Sequence, residues 1–214
     1  MIPWPSGVMM APLRYDENES VSLMRNHATC RWLPHRRISA LHVPARVRDL
    51  LLSRGSLTRR LRHRCQHNFH VRIVREQFAQ PTLDECQLLQ LPTRELAWIR
   101  EVELVGDGEV WVEARTVFPL RTLQGKHRRW RNLGSRPIGE ILFREHGWQR
   151  GPLEVAIPSD VRQSGPFTRR SCFHNQDRQV LITEQFNAVL WQTHQGNPGQ
   201  QQSAEVRIPG TPGL

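Results

Sequence analysis

Two residues of opposite charge fall on the apolar faces of strand-like segments. In Trp98-Ile99-Arg100-Glu101-Val102-Glu103-Leu104, alternation puts Arg100 on the face of Trp98, Val102 and Leu104, with Glu101 and Glu103 on the other. In Val180-Leu181-Ile182-Thr183-Glu184-Gln185-Phe186, Glu184 shares its face with Val180, Ile182 and Phe186. A lone buried charge costs several kcal/mol, so each side chain needs a counter-charge. They can neutralise each other as a core ion pair, or they can line a pocket whose ligand completes the pairing. Alternation alone leaves both arrangements open.

Other reactive residues are less specific. His63, Cys65 and His67 recur at spacing two, on one face of an extended segment, with His70 nearby. Zinc uses such ligands, but its sharper signatures pair ligands across a turn, so a solvated, histidine-rich edge strand is expected and no metal. The run Lys126-His127-Arg128-Arg129-Trp130-Arg131 could meet phosphate, with Trp130 as a stacking platform; the simpler expectation is the wet face of a helix. GxSxG, Walker-loop, GxGxxG and HExxH motifs do not occur, which leaves hydrolase, nucleotide-binding and zincin chemistry without a foothold.

The bulk composition narrows the partners without choosing one. A length of 214 residues suits one large domain, or one domain with tails. Thirty Lys plus Arg against twenty Asp plus Glu give +10, nearly all from arginine, which favours anionic partners: nucleic acid, anionic lipid or a small carboxylate. Cys30, Cys65, Cys86 and Cys172 are scattered and form no CxxC pair, as expected of reduced thiols in a cytoplasmic protein. No 18-residue apolar run is present, and the proline-rich start lacks the basic and apolar regions of a signal peptide; neither suggests stable membrane insertion.

These residues must be positioned by one α+β domain, expected over residues 29–191. Residues 1–28 read as a flexible extension, and 192–214, rich in Gln, Gly and Pro, as a disordered tail. A short helix is expected from Pro44 to Leu52. Gly55 interrupts, and Ser56 is placed to N-cap a second helix carrying Leu57 and Leu61. That pair has a helix-turn-helix shape, but DNA binding lacks a supporting dimer signal. Strands follow at His70–Glu76, Trp98–Val105 and Val110–Phe118, the last two joined by the hairpin turn Gly106-Asp107-Gly108-Glu109. A basic helix, a short helix from Pro137 to Phe143, and strands at Leu153–Ile157, Thr168–His174 and Val180–Phe186 complete the domain. About six strands, mostly sequential neighbours, imply an antiparallel sheet with short flanking helices.

Seven blocks, in order, resemble one family. They are Ser56-Leu57-Thr58-Arg59-Arg60, Arg75-Glu76-Gln77-Phe78, Trp98-Ile99-Arg100-Glu101-Val102, Gly106-Asp107-Gly108-Glu109-Val110-Trp111, Ala114-Arg115-Thr116-Val117-Phe118-Pro119, Leu133-Gly134-Ser135-Arg136-Pro137-Ile138-Gly139 and Leu181-Ile182-Thr183-Glu184-Gln185-Phe186. Over roughly residues 45–190 the chain resembles bacterial chorismate pyruvate-lyase, which makes 4-hydroxybenzoate for ubiquinone synthesis. The resemblance implies a six-stranded antiparallel sheet, a lyase that needs no cofactor, and chorismate as the small-molecule partner of a monomer that binds no nucleic acid. It implies that Arg100 binds the ring carboxylate and Glu184 the 4-oxygen, that Leu57 (in place of a methionine) and Ile138 (in place of a leucine) contact the product, and that Arg115 and Thr116 match the pair before the proline.

With those roles, Arg100 and Glu184 become the expected catalytic pair. Arg115 is the candidate for the second, pyruvyl carboxylate, and Glu184, in apolar surroundings, for assisting departure of the enolpyruvyl group. Leu57 and Ile138 conserve apolar volume. The competing reading is a non-enzymatic carboxylate-binding module, because the sensor domain of a class of bacterial transcription regulators shares this fold. Such regulators place a winged DNA-binding domain of some 70 residues ahead of the sensor, a pattern not legible in the 44 or so residues before the region of resemblance.

Overall fold

The computed structural model describes residues 32–38, 43, 45–156 and 167–192. The expected extension 1–28 and nearly all of the expected tail 192–214 lie outside them, as does Cys30. Among the described residues eight strands form one antiparallel sheet: β1 (Trp32–Pro34), β2 (Phe69–Ala79), β3 (Ala97–Gly106), β4 (Glu109–Pro119), β5 (Gln149–Arg150), β6 (Glu154–Ala156), β7 (Phe167–Asn175) and β8 (Arg178–Phe186). Their order is β1-β6-β7-β8-β4-β3-β2, with β5 paired to β7. Two strands exceed the expected six, and both, β1 and β5, are too short to show a period. The helices are α1 (Ala45–Leu51), α2 (Leu57–Arg64), α3 (Leu83–Leu89), α4 (Ile138–Arg144) and α5 (Val189–Gln192). No helix among the described residues is long and apolar enough to cross a membrane.

Local chemistry explains the elements. Ser56 caps α2, its Oγ accepting from the Arg59 N–H at 3.3 Å. Helix α3 was not foreseen, although Thr82-Leu83-Asp84-Glu85 spells a complete capping box: Oγ1 of Thr82 accepts from the Glu85 N–H, and Oε2 of Glu85 from the Thr82 N–H. At the β3–β4 turn Asp107 and Gly108 both adopt positive φ, 52° and 86°, as primed hairpin turns need. Gly106 serves a different end: a Cβ there would stand 2.5 Å from the Trp111 ring, so glycine lets the indole lie against the strand.

One expectation is corrected here, and one possibility is removed. His63 lies in α2, Cys65 follows its last residue, and His67 sits in the turn before β2, so the three do not share a strand face. Cys65 instead donates to Asp107, and no metal-ligating cluster occurs among the described residues. The basic run forms a 3-10 helix, Gly125–Asn132, whose Trp130 is wholly buried against Phe118, His127 and Trp148, so it offers no stacking platform to nucleic acid.

The sheet has two unlike faces. One carries two apolar clusters. The first joins α1, α2 and α5 to Val102, Leu104, Val112, Phe167 and Phe186. The second joins α4 and the 3-10 helix to Phe118, Phe173, Val180 and Ile182. A smaller cluster, built from α3 with Ala97, Val117, Cys172 and Leu181, covers the opposite face.

Candidate active site

Between the two clusters of the first face lies a cleft with about 580 Å³ of empty space, its open mouth included. Val102, Leu104, Ala114, Thr116 and Ile182 are among the sheet residues that line it, Leu57 and Thr58 come from α2, and Ile138 and Phe143 from α4. Arg62 of α2 reaches Glu140 of α4 at 2.9 Å, tying the two helices together. Arg100 and Glu184 both enter this cleft. Register explains how: Arg100 lies opposite Thr116, Thr116 opposite Ile182, and Glu184 is two residues along β8 on the same face.

Neither of the two arrangements open at the level of sequence describes them fully. Arg100 and Glu184 share a pocket, yet each has its own protein counter-charge. Arg100, 1% exposed, donates through Nη1 to Glu76 and through Nη2 to the carbonyls of Gly134 (2.5 Å) and Arg136 (3.4 Å). Three of its five N–H donors are thereby accounted for. Burial, partly offset by Glu76, pushes its pKa below the ordinary value. The two carbonyls belong to the loop before α4, so Arg100 also holds the segment that delivers Ile138.

A bulge brings Glu76 to Arg100. Val71 faces the cleft-side core opposite Leu104, and simple alternation would next turn Arg75 inward. The register shifts between Ile73 and Arg75, so Glu76 lies opposite Arg100 and Phe78 meets Trp98, while Arg75 faces Glu101 on the far side.

Glu184 is held by Arg169, which sequence reasoning missed. Nε of Arg169 donates to Oε2 of Glu184 at 2.5 Å, and its Nη1 donates to the carbonyls of Leu50, Leu51 and Ser53 at the end of α1. Arg169, 1% exposed, thus fixes the carboxylate and caps a helix with one guanidinium. The signal for it was present: in Phe167-Thr168-Arg169-Arg170-Ser171, alternation puts Arg169 on the face of Phe167, as it puts Arg100 beside Trp98. Arg150, from the two-residue β5, also lines the cleft and offered no periodicity to read.

Arg115 is a correction. It points to the opposite face and is not among the cleft residues. Its Nε and Nη2 grip Glu85 at 2.8 and 3.1 Å, and Nη1 meets Glu101 at 2.6 Å. The neighbour of an inward residue must point outward, and Thr116 is the inward one. Leu57, Arg100, Ile138 and Glu184 line one cleft.

A sequence model of the family described as Chorismate lyase matches residues 24–195. A probable chorismate pyruvate-lyase of Marinobacter nauticus is 46% identical over 154 residues, covering 72% of this chain and 81% of the relative. Another, from Pseudomonas aeruginosa strain PAO1, is 38% identical over 166 residues, 75% of this chain and 92% of the relative. Among solved structures, PhnF from Mycobacterium smegmatis aligns at a TM-score of 0.47 with 13% identity, over 64% of this chain and 65% of its own.

Proposed function

Because the chain belongs to the chorismate lyase family, we propose that its cleft takes chorismate, eliminates pyruvate and releases 4-hydroxybenzoate for ubiquinone synthesis. The observation that carries this reading is the convergence of Arg100 and Glu184 on one largely apolar cleft. Ordinary sheet spacings set their Cα atoms roughly 12 Å apart, so inward-reaching side chains leave room for one ring between them.

The elimination needs neither water nor an oxidant. The ring loses its ether C–O bond and the proton on the hydroxyl-bearing carbon. That proton ends on the methylene carbon of the departing enolpyruvate, and aromatisation drives the step. Positioning and charge placement are therefore what the protein must supply. Arg100 would hold the ring carboxylate with the donors its protein acceptors leave over. Leu57 and Ile138 would clamp the ring, and Oε1 of Glu184, the oxygen not engaged by Arg169, would meet the 4-oxygen beside the breaking bond. Arg169 is a positioning residue for Glu184. We place the protein in the cytoplasm as a monomer that does not bind nucleic acid.

Ultraviolet detection of 4-hydroxybenzoate formed from chorismate by purified protein tests the reading. Turnover is expected. Tight 4-hydroxybenzoate binding without turnover would replace it with the carboxylate-sensor alternative.

A further inference from the structure

Arg150 is a cation of the cleft that the mechanism above leaves unused. The walls bring together three guanidinium groups, of Arg100, Arg150 and Arg169, and one carboxylate, that of Glu184, while Glu76 lies outside the lining. Glu76 is taken by Arg100 and Glu184 by Arg169. Among the described residues no carboxylate lies within salt-bridge distance of Arg150. Its own bonds run to neutral acceptors: Nε to Oγ of Ser171 at 2.8 Å, and Nη1 to the carbonyls of Ser53 and Arg54 at 3.1 and 3.3 Å. The guanidinium lies near the rings of Phe143 and Phe173.

This environment disfavours a cation. Burial, and then the neighbouring charge of Arg169, lower the Arg150 pKa to about 10, with Glu184 only partly offsetting them. The side chain is still protonated at neutral pH, so a positive charge persists in a half-buried, aromatic-walled place that a ligand anion would relieve. Serine and backbone carbonyls fix it as a rigid fork, the geometry that suits a carboxylate.

Its position is complementary to that of Arg100. Ser171, which Arg150 bonds, lies in the same cross-strand row as Arg100, with Thr116 and Ile182 between them as the floor. Three strand spacings, about 14 Å, separate β3 from β7. Glu184 lies between the two cations, one row along. Resting on the chorismate reading, we propose that Arg150 binds the enolpyruvyl carboxylate of the substrate, the second carboxylate that 4-hydroxybenzoate lacks. Arg169 is less suited to this part, since its charge is already met by Glu184, whereas Arg150 engages only neutral acceptors.

The product provides the discriminating measurement, because it carries only the ring carboxylate. In Arg150→Gln, KM for chorismate is expected to rise at least tenfold, while Kd for 4-hydroxybenzoate stays within twofold of wild type. Arg150→Lys, which keeps the charge and loses the fork, should fall between the two in KM, and it carries the test if the glutamine variant does not fold. Equal losses for substrate and product would overturn the proposal by making Arg150 part of the ring site. An unchanged chorismate KM in either folded variant would overturn it as well. Failure of the wild-type protein to turn chorismate over would instead defeat the underlying reading, so the two failures are distinguishable.

Discussion

Arg169 and its β7 neighbour Arg170 take opposite faces of the sheet, as Arg100 of β3 and Arg115 of β4 do, and the two faces treat their arginines differently. On the α3 side, Arg115 is enclosed by Glu85 and Glu101, and Arg170 by Glu154 at 2.8 Å and by Asp84. Burial works against the charge of Arg115, yet those two glutamates outweigh it and raise its pKa. On the cleft side, burial prevails over Glu76 and lowers that of Arg100. The α3 face is a finished network in which carboxylates match or outnumber arginines. The cleft face is short of negative charge and therefore suited to an anion. In the proposed site, Arg100 is the under-compensated arginine, while the charge of Arg115 is fully met by its neighbours.

The largest expected effect comes from opening the finished network. Arg115→Ala leaves the buried Glu85 without its cation and the buried Glu101 with only the more distant Arg75, and should cost about 3–5 kcal/mol of stability. Chemical denaturation measures the loss, and the folded fraction should keep wild-type kcat. A stable variant with impaired turnover would break the contrast between the faces and return Arg115 to the site.

On the cleft side the outcome should reverse. Arg100→Ala should abolish detectable turnover and weaken 4-hydroxybenzoate binding by about 3 kcal/mol, roughly a hundredfold in Kd. The fold should survive better than in Arg115→Ala, since the partner left behind, Glu76, is partly exposed and can rehydrate. Titration of folded variant with 4-hydroxybenzoate measures this, and wild-type affinity would make Arg100 structural.

Much of this contrast was legible in the sequence, because alternation with period two reports which face a side chain takes. Arg100 and Glu184 were found that way, and the same rule applied to the β7 segment finds Arg169. Applied to β4, it separates Arg115 from Thr116, a step that matching residues to a family pattern does not force. Glu76 was not legible as the partner of Arg100: the bulge at β2 reverses the alternation, and no residue type in Ile73-Val74-Arg75 announces it. Arg150 was hidden for a different reason. A two-residue strand has no period, and its pairing with β7 is a long-range contact. The sheet itself was readable where strands are long and hairpins local, and unreadable at β1 and β5.

Glu184→Gln sharpens the comparison from within the cleft. The amide oxygen can still accept from Arg169, so the fold should be nearly unaffected, while kcat should fall roughly 10²-fold, about 2.7 kcal/mol. Measuring kcat and Tm on one preparation distinguishes the roles. A destabilised variant whose folded fraction turns over normally would make Glu184 only the counter-charge of Arg169, as Glu85 is of Arg115.

The smallest effect is expected at the hairpin that both faces share. Asp107 accepts from the N–H groups of Gln66 and His67 at 3.1 and 2.7 Å and from the Cys65 thiol, and these bonds lower its pKa to about 2. A depressed carboxylate stabilises the folded state above its unfolded value near 4, and that contribution is lost as pH falls through about 2. Asp107→Asn keeps a side chain that tolerates the left-handed turn but removes the titration. Its Tm should sit slightly below wild type at pH 7 and decline less steeply between pH 4 and 2. Because the hairpin carries Arg100 and Arg115 alike, the substitution should leave kcat unchanged and the Arg115 network intact. A selective loss of kcat would mean that the difference between the faces depends on the strand ends as well as on side-chain pairing.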